Sequence, residues 1–210
     1  MRIRNFSGSD NIISNCSFLV SNPEDYRGKW SELFGNDNPI HLEIGMGKGK
    51  FLLENAINNP DINYIGVERY DTIVAKAIEK IQPYELINLR IIKEDAFNLA
   101  HMFDREIAVI YLNHSDPWPK ARHEKRRLTS HNFLAIYDNL FKGAKKIVQK
   151  TDNYDLFEYS LESLELYGYE IIDKSYDLAG TKLVNYTTEY EEKFMKKGVK
   201  INYLVAVRKD

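Results

Sequence analysis

The chain has 210 residues, is 43% hydrophobic and 29% charged, and carries a formal net charge of −2. This composition supports one full-sized domain and excludes a disordered chain or a polycation, so attraction to nucleic acid has to come from a local patch. The single cysteine, Cys16, excludes an internal disulfide and a Cys-rich zinc site, and the five histidines form no H-E-x-x-H pattern, so no metal is expected. The first residues lack the apolar core of a signal peptide, and no apolar run approaches the roughly 18 residues of a membrane span. A soluble cytoplasmic protein with no membrane partner is expected.

Residues 1–25 are polar and aperiodic and read as an N-terminal arm, ahead of a single domain over residues 26–210. Ile40–Ile44 reads as a strand, followed by glycines and a helix near Phe51–Asn59. Ile62–Glu68 is the next strand and Thr72–Ile81 the next helix. Leu89–Lys93 forms a third strand, with a short helix near Phe97–Phe103. The apolar run "EIAVIYLN", ending at Asn113, reads as a buried strand. A helix around Thr129–Phe141 precedes a strand at Lys146–Gln149, and Leu156–Tyr167 is a further helix. Tyr169–Ile172 and Ile201–Val207 alternate and suit an antiparallel edge pair. Alternation of this kind implies an α/β sheet with helices on both faces, where ligands bind beyond the carboxyl ends of the strands.

Every unusual motif follows such a strand. "HLEIGMGKGKF" sets Glu43, Gly45, Gly47 and Gly49 at a strand-to-helix junction, where glycine lets the backbone approach a ligand closely. The third glycine of the dinucleotide fingerprint is missing, because Lys50 takes its place. A carboxylate such as Glu43 beside a diphosphate would be repelled by roughly 4 kcal/mol for unit charges about 4 Å apart. The same group attracts a sulfonium or an ammonium. Glu68 closes the second strand, at the separation from Gly45 where an acid reaches ribose hydroxyls. Asp95 closes the third and can accept a hydrogen bond from an adenine amino group. Each acid alone reads equally well as a solvated carboxylate or a helix cap. Together and in this order they point to a cationic adenosine cofactor, S-adenosyl-L-methionine.

The fourth strand leads into "NHSDPWPK". Pro117 and Pro119 stiffen the loop and keep Asp116 and Trp118 out of a helix, which makes Asp116 a candidate for holding the substrate. For Trp118, packing beneath the loop is weighed against stacking on a base. Directly after comes "KARHEKRR", where Lys120, Arg122, Lys125, Arg126 and Arg127 stand against one acid, Glu124. A charge run is ordinarily a solvated face, but its position against the candidate catalytic loop favours contact with an RNA backbone.

Across nearly its whole length the chain resembles the bacterial tRNA (guanine-N7)-methyltransferases of the TrmB family. The resemblance is carried by "MRIRN", "NPEDYRGKW", "FGNDNPIHLEIGMGKGKF", "INYIGVE", "YLNHSDPWPKARHEKRRLT", "KTDNYDLFEYSL" and "TTEYEEKF". It implies the class I, Rossmann-like methyltransferase fold, with a seven-stranded, mostly parallel sheet whose last strand is antiparallel. It also implies methylation of a guanine in the tRNA variable loop, conventionally position 46. Cofactor contacts are implied for Glu43, Gly45, Gly47, Glu68, Asp95 and Asp116, with Asp116 also catalytic. Guanosine contacts are implied for Lys120, Asp152, Thr188, Glu189, Tyr190 and Glu191, and RNA contacts for Arg122, His123, Glu124, Lys125, Arg126 and Arg127. Two departures stand out: His114 occupies the place of a phenylalanine, and "MRIRN" lacks a following Pro-Trp. The resemblance leaves monomer and homodimer both open. Rival readings are a nicotinamide-dependent oxidoreductase, a non-catalytic RNA-binding module, and methylation of another RNA or base atom.

Overall fold

A computed structural model, which describes residues 9–14 and 16–209, pairs the apolar runs into one eight-stranded sheet. The strands are β1 (Leu19–Val20), β2 (Ile40–Ile44), β3 (Asn63–Glu68), β4 (Leu89–Lys93), β5 (Ile107–Asn113), β6 (Phe141–Thr151), β7 (Glu170–Ser175) and β8 (Asn202–Arg208). Their spatial order is β1-β4-β3-β2-β5-β6-β8-β7, parallel from β1 to β6. β8 runs antiparallel between β6 and β7. The order reverses direction at β2, because β3 and β4 extend to one side while β5 and β6 extend to the other. A crevice opens at the carboxyl ends on either side of such a reversal.

The α-helices are α1 (Ser9–Ser14), α2 (Trp30–Phe34), α3 (Lys50–Asn58), α4 (Asp71–Ile81), α5 (His131–Tyr137), α6 (Tyr154–Leu166) and α7 (Glu189–Met195), with short 3₁₀ helices between elements. The sheet is buried on both faces, which explains why β5, at its centre, reads as an unbroken apolar run rather than an alternating one. On one face Leu52, Val74, Ile78 and Ile81 of α3 and α4 pack on Tyr64, Leu89 and Ile91. On the other, Phe133, Leu134 and Tyr137 of α5 and Phe157, Leu161 and Leu164 of α6 join Leu42, Ile65 and Ile110. Trp30, fully buried there, donates its indole N–H to the Met102 carbonyl at 2.8 Å and stacks on Phe103.

Three expectations need correction. The sheet has eight strands rather than seven, and the additional one, β1, comes from the segment read as an arm. Ile12, Ile13, Cys16, Phe18 and Leu19 pack against the α3–α4 core, and β1 extends the sheet beside β4. A two-residue strand is too short to show any alternation, so these scattered apolar residues carried no periodic signal. Residues 1–8 of the expected arm, including "MRIRN", lie outside the described residues. The helix expected over Thr129–Phe141 ends at Tyr137, and Phe141 instead opens a long β6. The carbonyls of Asn139 and Leu140 accept backbone N–H groups from Arg105, Glu106 and Ile107, which turns the chain into the sheet. The exposed start of β6, "KGAKK", has the polarity of a loop, and a shift of register against β5 accommodates it. The β7–β8 pair forms as expected, with β7 at the edge.

Gly66 sits mid-way along β3 where no side chain fits. A Cβ there would overlap the Met46 sulfur and lie 2.7 Å from a Leu52 methyl carbon. Gly66→Ala is expected to destabilise the fold by about 1–3 kcal/mol through overpacking, read from a lower denaturant midpoint at unchanged m-value.

Candidate active site

The turn between β2 and α3 places Gly45, Gly47 and Gly49 at φ values of 76°, 56° and 75°. These lie in the left-handed region that residues with a Cβ avoid. The amides of Gly45 and Met46 both donate to the Val67 carbonyl, at 2.9 and 3.1 Å, which pins the turn to the end of β3. A Cβ on Gly49 would also press on Ile81 at 3.0 Å. Beneath this turn lies Glu43, 1% exposed, accepting a hydrogen bond from the Asn113 side-chain amide at 2.8 Å. Its other oxygen has no hydrogen-bond partner. Burial pushes the Glu43 carboxyl up to about 8, with Glu68 adding to the rise and Asn113 and Lys150 opposing it. Glu43 is not on the wall of the neighbouring cavity.

That cavity, of about 510 Å³, lies beyond the carboxyl ends of β2 to β5, and Gly45, Glu68, Asp95, Asp116 and Trp118 are on its wall. Its size suits a ligand of nucleoside dimensions. Glu68 accepts the backbone N–H groups of Arg69 and Tyr70, at 2.9 and 3.2 Å. Burial nevertheless keeps its carboxyl above the ordinary range, outweighing those bonds and the Arg69 charge. Asp95 is a cap, as one of its two sequence readings has it, and lies on the cavity wall. It caps the 3₁₀ turn Ala96–His101 by accepting the Phe97 N–H at 3.0 Å, and its second oxygen pairs with Arg69 at 3.4 Å. Asp116 is exposed on the cavity wall.

The proline loop is held from the basic run that follows it. Arg127 donates to the carbonyls of Pro117 and Trp118, at 3.1 and 3.2 Å, while its guanidinium lies over the Tyr159 ring. Arg127 is therefore turned inward as a brace for the loop, with two of its N–H groups donating to it. Trp118 adopts φ 42°, half-buried, with the Arg126 guanidinium over its ring at 4.9 Å and His123 edge-on. Residues Ala121–Arg126 form a 3₁₀ helix, and Glu124 accepts the Tyr159 hydroxyl at 3.1 Å. Lys120, Arg122, Lys125 and Arg126 stay exposed.

The last group of expected residues converges from β6 and α7. Asp152 lies 3.4 Å from His114 Nδ1 and accepts the Tyr190 hydroxyl at 3.2 Å. Thr188 caps α7 by accepting the Glu191 N–H, and Glu189 pairs with Lys80 of α4. Tyr190 is exposed, whereas Glu191 is wholly buried. Lys150 Nζ donates to Glu191 at 2.7 Å and Asn185 donates to its other oxygen at 2.5 Å. Burial alone would raise the Glu191 carboxyl, but His114 and Lys150 outweigh it and hold it at about 2. Lys150 was missed from sequence, although a lysine closing the apolar strand "IVQK" was the available signal. Arg69, Asn113 and Asn185 carried no comparable mark. No group of three or more metal-ligating side chains occurs among the described residues, and no helix there is long and apolar enough to cross a membrane.

The raised Glu43 carboxyl gives a pH-dependent stability. A folded value of about 8 against 4.5 unfolded means the stabilising contribution is complete below 4.5 and is lost as pH rises toward 8. Glu43→Gln is expected to flatten that decline in the ligand-free protein, measured as denaturation midpoints across this window.

A family model described as "Putative methyltransferase" matches residues 37–204. The tRNA (guanine-N(7)-)-methyltransferase of Lachnoclostridium phytofermentans is 49% identical over 211 aligned positions, covering 99% of both chains. The protein of that name from Bacillus subtilis is 47% identical over 197 positions, covering 92% of each. Among solved structures, an antibiotic-related methyltransferase aligns with a TM-score of 0.66 at 18% identity, over 87% of this chain and 94% of its own. A 16S rRNA (adenine(1408)-N(1))-methyltransferase variant from Catenulisporales acidiphilia aligns with a TM-score of 0.60 at 14% identity, over 87% and 91%. At such identities the structural likeness speaks for the fold, while the near-full-length relatives place the chain itself: it belongs to the tRNA (guanine-N(7)-)-methyltransferase family.

Proposed function

We propose that this protein transfers a methyl group from S-adenosyl-L-methionine to N7 of a guanine in the tRNA variable loop, at conventional position 46. The observation that carries the reading is the cavity at the strand reversal, walled by Glu68, Asp95 and Asp116 and bordered by exposed cations from the same loop. Its donor set fits the cofactor. Strand-end carboxylates accept from ribose hydroxyls and an adenine amino group, and they favour a cation where they would repel a diphosphate. Glu68 and Asp95 hold the nucleoside part, and Asp116 faces the reacting end. Glu43 acts from beneath the glycine turn, through Asn113 and the turn itself, rather than from the cavity wall.

When bound, S-adenosyl-L-methionine supplies an electrophilic methyl group. Guanine N7 carries an in-plane lone pair at neutral pH, so the protein has no proton to remove from the nucleophile. Its task is orientation in line with the reacting bond and electrostatic support of the positive charge that moves onto the base. Asp116 supplies that support from the cavity rim. Asp152 reads the donor edge of guanine, N1–H and the 2-amino group, because a carboxylate offers acceptors only. Glu191 has its oxygens engaged by Lys150 and Asn185 and supports the site from within. Lys120, Arg122, Lys125 and Arg126 meet the phosphate backbone, while Arg127 holds the loop.

Labelled S-adenosyl-L-methionine and unmodified tRNA, followed by reduction and aniline cleavage, is expected to map N7-methylguanine to the variable loop. Label incorporated without cleavage there would refute the assigned position. Asp116→Ala is expected to lower turnover by roughly 10²-fold or more with an unchanged melting temperature. Replacing Arg122 and Lys125 together with alanine removes two phosphate contacts. It should reduce the slope of log K against log salt by roughly 1.5, with cofactor binding unaltered in equilibrium dialysis.

A further inference from the structure

His114 lies where three segments meet, and both of its ring nitrogens face carboxylates. Nδ1 is 3.4 Å from Asp152 Oδ1 and Nε2 is 3.6 Å from Glu191 Oε2. The side chain is 4% exposed, and Nε2 makes no hydrogen bond of ordinary length. The ring also packs on Tyr190, 5.1 Å between centroids, and the Tyr190 hydroxyl donates to the second oxygen of Asp152. The His114 backbone N–H donates to the Lys150 carbonyl at 2.8 Å, and Lys150 Nζ donates to Glu191. The loop after β5, the end of β6 and the first turn of α7 are thus closed into one ring of polar contacts. The backbone at His114 has φ 50°, a conformation that histidine and asparagine adopt more readily than most side chains.

We propose that His114 is a positioning residue that fixes Asp152 and ties it to Glu191, so that α7 docks and Asp152 is presented to the guanine base as one event. This inference rests on the assignment of Asp152 to the base. Three observations support it. The Asp152 side chain is 21% exposed and each oxygen carries a single protein contact, which leaves acceptor capacity for an incoming N–H donor. Glu191, 0% exposed, is closed to an incoming donor and can act only through its neighbours. The two His114 contacts are longer than ordinary hydrogen bonds, and polar contacts at ligand-free sites commonly tighten when the ligand arrives. Ligand binding at Asp152 therefore pulls on α7 through the imidazole.

The test uses the full chain with saturating S-adenosyl-L-methionine and varied unmodified tRNA, comparing wild type, His114→Phe, His114→Asn, Asp152→Asn and the double variant His114→Phe/Asp152→Asn. His114→Phe keeps a ring against Tyr190 but removes both nitrogens. It is expected to raise KM for tRNA about tenfold, with kcat changed less than about threefold. His114→Asn suits the positive φ and returns a donor near the Nδ1 position, so it recovers most of the loss. In the Asp152→Asn background, His114→Phe adds less than about twofold, because its partner is already weakened. A wild-type KM for tRNA in His114→Phe, or the same tenfold loss with and without Asp152, overturns the proposal. If His114→Phe fails to fold by thermal melting, the decision passes to His114→Asn against His114→Gln. Gln reaches toward Glu191 rather than Asp152, so a Gln variant that matches or exceeds Asn overturns the proposal too. Absence of N7-methylation by the wild-type protein overturns the functional reading itself, which keeps the two failures apart.

Discussion

β2 sits between β3 and β5 with all three strands parallel, so three chain segments leave the sheet on the same side within about 10 Å of one another. The glycine turn, Glu68 and the Asn113–Trp118 loop are these three exits. Their convergence needs no specific contact between them, because strand pairing alone brings them together. The side chains then sort by depth. Glu43, one strand residue below the turn, is buried with Asn113, while Glu68 and Asp116 emerge into the cavity. Left-handed glycines keep the turn low enough that the cavity floor stays open. Gly66, which has no room for a Cβ against Met46, keeps β3 and the turn in contact from below.

A chain with net charge −2 has to confine its attraction for a polyanion to one place. The confinement here is covalent as well as spatial. The five cations around the 3₁₀ helix Ala121–Arg126 follow the proline loop in sequence, so the cationic surface cannot be moved relative to Asp116 without moving both. Arg127 makes this coupling rigid, since it donates to the Pro117 and Trp118 carbonyls. Arg126 over Trp118 ties the exposed cations to the same loop. One run of like charge therefore divides into residues that face solvent and one that holds the loop shut. Only the orientation of each guanidinium separates the two roles.

The strand–helix alternation, the crevice and the strand-end acids were legible because each rests on a local pattern: continuous apolar runs, glycines at a junction, acids at strand ends. β1 and the true start of β6 were not, because a two-residue strand has no period and "KGAKK" has the polarity of a loop. At the site, burial of individual carboxylates was hidden for a similar reason. "TTEYEEKF" reads as a solvated helix start, and nothing in that order of residues separates buried Glu191 from exposed Tyr190. Three-dimensional pairing with Lys150 and Asn185 makes the distinction. His114 was visible as a departure from the family pattern, but its two carboxylate neighbours lie 38 and 77 positions away in the chain, a separation that no local reading spans.

The buried Lys150–Glu191 pair sets how α7 is attached. Glu191 is the one buried residue of that helix, and beside the packing of Tyr190 on the His114 ring the helix is linked by polar side-chain contacts: Lys50 to Glu192 at 2.8 Å, Lys80 to Glu189, and Tyr190 to Asp152. Attachment through apolar area would be non-directional and tolerant of sliding. Attachment through a desolvated ion pair is specific instead, because either charge left alone in the interior costs several kcal/mol. α7 is therefore held in one register or not at all. Its polar anchoring also places it among the less stable parts of the domain, since few buried apolar contacts resist its opening. With Asp152 assigned to the base as proposed, a helix with those two properties would link the order of that site to whether α7 is docked.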